Sequence, residues 1–198
     1  MRLFIPILLV LFLGGCGWVY QVGSNKASEF DISEAQMQIS EFEFINQDNE
    51  LYGSEQLEGE YWMANMIFTY CPSVCPTMTP NMQRLQSAMQ EKGVKMSFIS
   101  FTVDPIRDTP EQLLSYGTNV GADLESWQFL TGYTVDEIAE FSKESFKSSV
   151  QNVEGSEDIL HTTSFFLVDP NGFVIRKYDG LQSDQESIIK DLVETLNE

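Results

Sequence analysis

Two of the chain's three cysteines lie close together in the segment FTYCPSVCPTM, residues 68–78. Three residues separate Cys71 from Cys75, and a proline follows each cysteine. In a regular helix, residues four apart have Cβ atoms about 5–6 Å apart, whereas a disulfide needs about 3.5–4.5 Å, so this disulfide requires a bent backbone. A metal ion is less demanding, because each metal–sulfur bond spans about 2.3 Å. The spacing alone leaves three interpretations open: a stabilising disulfide, a redox pair and a metal site.

The chain has a single histidine, His161, which precedes the segment TTSFFLVDPNG. If the fold brings this residue opposite the cysteines, one imidazole and two thiolates form a three-ligand set. Thiolates suit Cu(I), and an added imidazole also suits Cu(II). A structural zinc site normally has four protein ligands, which makes zinc a poorer match. A lone histidine is also commonly an ordinary surface residue, and that interpretation stays open at this point.

The charge of the chain excludes some classes of function. Eleven lysines and arginines face thirty aspartates and glutamates, which gives a net charge of −19. Nucleic-acid binding needs a basic surface, so no nucleic-acid partner is expected. The same charge argues against electrostatic docking on anionic lipid. With 198 residues, of which 42% are apolar, the chain is expected to form one domain with a short extra segment, and we expect a monomer.

The N-terminus has the features of an export signal. Arg2 precedes an apolar run over residues 3–13, which is shorter than the roughly 20 residues of a membrane-spanning helix. The sequence LGGC that ends at Cys16 resembles a bacterial lipoprotein signal, in which cleavage before the cysteine allows a lipid to be attached to it. An uncleaved anchor or a buried strand is the alternative. We therefore predict attachment to the outer face of the cell membrane, with a signal peptide (1–15), a lipid-anchored tether (16–37) and a folded domain (38–198).

Hydrophobic periodicity predicts the elements that position the cysteines. Two apolar runs, 61–68 and 94–103, are typical of buried strands, and a helix from Pro76 to about Glu91 lies between them. The first run ends just before Cys71, so the cysteines lie between a strand and the positive end of a helix dipole, which favours the thiolate form.

The rest of the chain alternates helices and strands. Thr109 is a predicted helix N-cap with Gln112 closing a capping box, and Thr134 is a second N-cap. The turn at residues 170–172 predicts a hairpin, and a closing helix follows. The resulting order is that of a thioredoxin-like α/β fold, in which helices flank a central mixed sheet, with an N-terminal hairpin and an inserted helix.

Three motifs, FTYCPSVCP, FTVDPIRDTPEQL and LHTTSFFLVDPNG, together resemble the SCO/SenC family of copper-binding, thioredoxin-fold proteins that help to build cytochrome c oxidase. The resemblance covers about residues 39–196, and the lipoprotein-like start is similar to Gram-positive members. It implies that Cys71, Cys75 and His161 bind one copper ion, as Cu(I) or Cu(II). It also implies a metallochaperone whose acceptor is the dinuclear copper centre of oxidase subunit II.

Asp104 and Asp108 match the acidic motif of that family. The resemblance implies that one of them tunes the copper loop or contacts the partner protein. The favoured alternative is a turn followed by a helix start, which the sequence DPIRDTP explains on its own.

Two other functions would use Cys71 and Cys75 as a redox-active pair: a thiol–disulfide oxidoreductase, by ordinary exchange, and a redox sensor. Dedicated oxidoreductases of this fold use two spacers and place a proline just before the partner strand, whereas this chain has three spacers and Thr163. A thiol peroxidase would need the pattern P-x-x-x-T-x-x-C. With Cys71 as its cysteine, Ala64 stands at the proline position and Phe68 at the threonine position. The main expectation is a metallochaperone, with reductase activity as the alternative.

Overall fold

The computed structural model describes residues 28–197. The strands in this part of the chain are β1 (Met37–Gln38), β2 (Glu43–Ile45), β3 (Leu51–Gly53), β4 (Trp62–Ile67), β5 (Ser97–Thr102), β6 (Trp127–Leu130), β7 (Gln151–Asn152), β8 (Ile159–Leu160), β9 (Ser164–Val168) and β10 (Phe173–Asp179). The helices are α1 (Ser54–Leu57), α2 (Cys75–Glu91), α3 (Pro110–Val120), α4 (Val135–Phe146) and α5 (Glu186–Leu196).

Six strands form the central sheet in the order β1-β10-β9-β4-β5-β6. The strands β4, β5 and β6 are parallel, whereas β9 is antiparallel to β4, and β10 and β1 continue that antiparallel half. Every residue of β4 is buried, as expected for a central strand covered on both faces. The predicted α/β fold with a mixed central sheet is therefore confirmed.

Helices cover both faces of this sheet. Phe129 of β6 packs against Tyr116 of α3, and Phe101 of β5 packs against Phe141 of α4. Phe129 pairs with Ser100, the residue before Phe101. Because successive strand residues point to opposite faces, α3 and α4 lie on opposite sides of the sheet. The helix α2 contacts α3 and α5.

The helix α2 is anchored by a methionine-rich stripe. Its apolar side chains recur at helical spacing, and each of them is buried: Met78, Met82, Leu85 and Met89. This packing fixes the helix against the sheet and therefore fixes the position of its first residue, Cys75.

The two predicted threonine caps are present, but one of them differs in detail. Thr134 accepts a hydrogen bond from the N–H of Glu137, whose carboxylate accepts the N–H of Thr134 in return. Thr109 accepts the N–H of Gln112 in the same way. The predicted return contact from Gln112 is wrong, because this side chain donates to Thr69 Oγ1 at 3.1 Å instead.

The N-terminal end of the described segment contacts the central sheet. Asp31 forms a β-bridge with Arg176, and Met37 of β1 pairs with Val174, so contacts with the sheet begin upstream of the predicted domain start at residue 38. The predicted signal peptide and Cys16 lie outside the described residues. No helix within residues 28–197 combines the length and apolar character needed to cross a membrane.

Candidate metal centre

The cysteine loop, residues 68–75, joins the carboxyl end of β4 to the first turn of α2. The N–H of Cys71 donates to the carbonyl of Phe68 at 3.3 Å, which turns the chain immediately after the buried strand. Cys75 is the first residue of α2, and Pro76 follows it in the first turn, where a missing N–H costs no helical hydrogen bond. Neither cysteine is in a disulfide, and both are buried.

The structure brings His161 to these two thiols. The two Sγ atoms and an imidazole nitrogen all lie within 4.8 Å of one another, and Cys75 Sγ is 3.9 Å from His161 Nε2. Ligands bound to one ion at about 2.0–2.3 Å are separated by about 3.5–4.6 Å, depending on the bond angle. The three side chains therefore fit a single small metal ion after at most a small closing movement. Two soft sulfurs and an imidazole suit copper in either oxidation state.

A backbone contact orients the imidazole. His161 Nδ1 lies 2.8 Å from the carbonyl oxygen of Thr162, and a carbonyl can only accept, so Nδ1 carries the proton. In the neutral ring Nε2 then has the free lone pair, and Nε2 is the atom that faces Cys75. The ring of Phe68 packs edge-on against the imidazole, with the ring centroids 5.9 Å apart. In this neutral tautomer the Nε2 lone pair is thus available to a metal ion.

The two thiols have unequal electrostatic surroundings. The hydrogen bond from the Cys75 thiol, together with the Cys75 N–H at 3.3 Å, lowers the pKa of Cys71 to about 3. The same thiol–thiol hydrogen bond, together with burial, raises the pKa of Cys75. The pair therefore holds one proton, on Cys75, while Cys71 is a thiolate. Thiolates are the nucleophilic and metal-binding form.

Asp108 holds the start of the cysteine loop. Its buried carboxylate accepts the Thr69 N–H at 3.0 Å, the Thr69 hydroxyl at 2.6 Å and the hydroxyl of Thr102. The backbone hydrogen bonds between β4 and β5 end two residues before Thr69, where the Val103 N–H donates to the carbonyl of Ile67. The Asp108 carboxylate therefore accepts the Thr69 N–H in place of a backbone carbonyl of a continued β5 strand. Burial raises the pKa of Asp108, although these hydrogen bonds oppose the rise.

Asp104, the other predicted acidic residue, lies in the turn after β5. Its carboxylate pairs with Arg107, and its N–H donates to the Thr102 hydroxyl at 3.1 Å. Arg107 also lies 5.2 Å above the ring of Tyr70 and 3.4 Å from the carboxylate of Glu157. The Asp104 carboxylate therefore contacts Arg107 and not the cysteine loop itself, in contrast to the Asp108 carboxylate.

His161 follows a short hairpin, which we call the histidine hairpin and which consists of β7, β8 and their turn (residues 151–160). Ser73 of the cysteine loop donates to Asp158 of this hairpin at 3.1 Å, which adds to the Arg107–Glu157 contact. Thr69 and these bridging residues were not predicted from the sequence. Ser73 could have been suspected from its place between the cysteines, but no periodicity or motif marks the others.

Solved structures share this architecture. A SCO1/SenC family lipoprotein from Bacillus anthracis str. Ames is 40% identical, with a TM-score of 0.78, over 82% of this chain and 96% of that chain. BsSco is 37% identical, with a TM-score of 0.73, over 82% of this chain and 92% of that chain. It is a member of the Sco family of cytochrome c oxidase assembly proteins, and a disulfide switch was identified in it. ScoI of Bradyrhizobium japonicum with copper bound is 25% identical, with a TM-score of 0.66, over 78% and 97%. These matches confirm the thioredoxin-like fold.

The sequence comparisons agree with the structural ones. The SCO1/SenC family model matches residues 31–197, which include the cysteine loop, the acidic turn and His161. The SCO1 protein homolog of Bacillus subtilis (strain 168) is 40% identical over 156 residues, or 78% of this chain and 81% of that protein. The resemblance seen in the three sequence motifs is confirmed: this chain belongs to the SCO1/SenC family.

Proposed function

We propose that this protein is an extracytoplasmic copper metallochaperone, which binds one copper ion through Cys71, Cys75 and His161 and delivers it to the dinuclear copper centre of cytochrome c oxidase subunit II. The proposal rests on one observation. Three potential ligand atoms lie within 4.8 Å of one another, although Cys75 and His161 are 86 residues apart in the chain. Two relatives support it: ScoI of Bradyrhizobium japonicum holds copper, and BsSco belongs to a family of oxidase assembly proteins.

The donor set suits a carrier better than a storage site. Three protein ligands leave copper open to a further ligand, so an acceptor can enter and replace the bonds one at a time. Cys71 is a thiolate before metal arrives, so this ligand has no proton to lose, and the neutral tautomer of His161 that donates to Thr162 presents Nε2 to the ion. The buried sulfurs keep the ion away from bulk water until the acceptor arrives.

In this proposal a lipid on Cys16 holds the protein at the outer face of the cell membrane, and the segment after Cys16 is the tether. The description of the 40%-identical Bacillus anthracis relative as a lipoprotein supports this placement. Labelling of cells with a radioactive fatty acid tests it. The wild-type protein should be labelled, and the variant Cys16→Ala should not. An unlabelled wild-type protein would contradict the lipid anchor.

The two acidic residues take different roles. We assign to Asp108 the positioning of the cysteine loop, because its carboxylate holds both the N–H and the hydroxyl of Thr69, two residues before Cys71. Asp104 instead fixes the turn and the guanidinium of Arg107.

The unequal thiols favour one second candidate, a thiol–disulfide reductase. The Cys71 thiolate would attack a disulfide of the acceptor, and a mixed disulfide would form as one acceptor thiolate leaves. Cys75 would then pass its proton to that thiolate and attack Cys71 Sγ, which releases the acceptor with one thiol and one thiolate and leaves a Cys71–Cys75 disulfide. The disulfide switch of BsSco supports this chemistry. Both activities can coexist, since reduction prepares acceptor cysteines for copper.

Deletion of the gene tests these functions against each other. We expect reduced cytochrome c oxidase activity, partly restored by excess copper, and full restoration by the wild-type gene but not by the variant His161→Ala. Restoration by His161→Ala would favour the reductase, because the cysteine pair is intact in that variant. A copper-independent reduction of a general disulfide substrate over many turnovers would favour it as well. An oxidase that is unaffected by the deletion would contradict both and leave a redox sensor.

A further inference from the structure

Exposed apolar side chains are concentrated around the metal ligands. Within residues 28–197, four large apolar side chains are more than half exposed, and three of them adjoin the site: Tyr70 (53%), Ile106 (78%) and Leu160 (59%). Single exposed apolar residues are ordinary on protein surfaces, but a group of them beside a functional site is typical of a binding surface. We call these three side chains the apolar rim.

The three members of the apolar rim come from three segments of the chain that meet near the site. Tyr70 directly precedes Cys71, and Leu160 directly precedes His161, so each is one residue from a ligand. Ile106 is next to Arg107, whose guanidinium lies 5.2 Å from the centre of the Tyr70 ring and contacts Glu157 of the histidine hairpin. Tyr70 and Leu160 therefore adjoin the proposed ligand residues along the chain, and Ile106 adjoins the arginine that lies over Tyr70.

The charges near the rim restrict what can cover it. Arg107 is basic, but the charged side chains of the neighbouring histidine hairpin are all acidic: Glu154, Glu157 and Asp158. A second copy of this chain would bring another net charge of −19, and an anionic lipid surface would also be repelled. The surface instead fits a protein with an apolar centre and a basic periphery.

We propose that the apolar rim is the surface on which the copper acceptor docks, and that the acceptor presents apolar side chains around its own copper ligands. This inference rests on the proposed metallochaperone function. As each bond from copper to Cys71, Cys75 or His161 breaks, a bond from an acceptor thiolate or imidazole forms, and copper keeps its oxidation state. The acceptor must therefore come within bonding distance of an ion held by residues that directly follow Tyr70 and Leu160 in the chain, and docking on the rim excludes water from the exchange.

Charge substitutions on the rim test the proposal without disturbing the core. The full-length variants Ile106→Glu and Leu160→Glu should bind copper as the wild-type protein does. Each should transfer copper to the soluble copper-binding domain of subunit II about tenfold more slowly or worse, which is the effect of losing one good interface contact. The matched control is Leu51→Glu, at a position 60% exposed on β3, beyond the edge strand β6, and it should transfer copper normally.

The outcomes separate this inference from the proposed function. If the wild-type protein transfers copper and the rim variants transfer it equally fast, or if Leu51→Glu slows transfer as much, the docking assignment is wrong and the metallochaperone function stands. If the wild-type protein neither binds nor transfers copper, the function itself fails, and the inference fails with it. If sedimentation shows a wild-type dimer that Ile106→Glu dissociates, the rim seats a second copy, which also overturns the proposal.

Discussion

The cysteine loop contains two of the proposed copper ligands and the histidine hairpin leads into the third, but the two segments are held in different ways. The cysteine loop is fixed by a buried carboxylate, Asp108, and by a helix whose first N–H donates to Cys71 Sγ. The histidine hairpin has strands of two residues, and its links to the cysteine loop and to Arg107 are exposed. Few buried contacts and exposed hydrogen bonds are the features of segments that open at low cost. The difference indicates a preformed pair of sulfurs, which a weakly held histidine approaches and leaves.

The largest effect should follow from removal of a ligand on the fixed side. Because loss of a group that merely orients a ligand costs about 10–100-fold in metal affinity, Cys71→Ser should lower copper affinity by more than about 100-fold. The smaller hydroxyl fits the same space, so circular dichroism should show an unchanged fold. A copper affinity within about tenfold of the wild-type value would contradict the assignment of Cys71 as a ligand.

The Asp108 anchor should matter for stability more than its acidic neighbour does. Asp108→Ala leaves the Thr69 N–H and the Thr102 hydroxyl without their acceptor inside the protein, which should cost about 3 kcal/mol of unfolding free energy. The matched control, Asp104→Ala, removes an ion pair with a partly exposed Arg107 and should cost about 1 kcal/mol or less. Urea unfolding measures both. Equal losses in the two variants would show that Asp108 is not a special anchor.

The fixed side should also have a distinctive pH dependence. Because the folded pKa of Cys71 is lowered from 9.0 to about 3, the folded protein binds this proton less tightly than the unfolded chain does. The stabilisation from Cys71 is therefore complete above pH 9, declines as the pH falls below 9 and is gone once the pH has fallen through about 3. The ultraviolet absorbance of the reduced protein should show one thiolate at neutral pH, and Cys71→Ser should remove it. Two protonated thiols at neutral pH would contradict this.

The smallest effect is expected on the hairpin side. The Arg107–Glu157 contact is exposed, and such pairs contribute about 0–1 kcal/mol, so Glu157→Gln should change copper affinity by less than about fivefold. The change should vanish at high salt. Glu154→Gln, on the same hairpin, is the control and should have no effect. A loss above about fivefold in Glu157→Gln alone would show that the hairpin is held more firmly than its contacts indicate.

The same contrast explains what the sequence could predict. The apolar run of β4 and the spaced methionines of α2 have strong periodicity, so the elements that position the cysteines were predicted correctly. The approach of His161 depended on the family resemblance, because 86 residues separate it from Cys75. The histidine hairpin has two-residue strands in a polar segment, and such strands are too short to show alternation. The Asp108–Thr69 contact joins residues 39 apart and exists only once β4 and β5 are paired.

Titration of the reduced protein with Cu(II) tests the central claim most directly, because His161 is the only imidazole of the chain. We predict a thiolate-to-copper charge-transfer band that saturates at one equivalent, together with coupling to one imidazole nitrogen in electron paramagnetic resonance. In His161→Ala the nitrogen coupling should disappear and the Cu(II) affinity should fall by more than about 100-fold, while the Cys71–Cys75 disulfide still forms. Absence of the charge-transfer band, or an unchanged affinity in His161→Ala, would contradict a site in which two sulfurs and this imidazole share one copper ion.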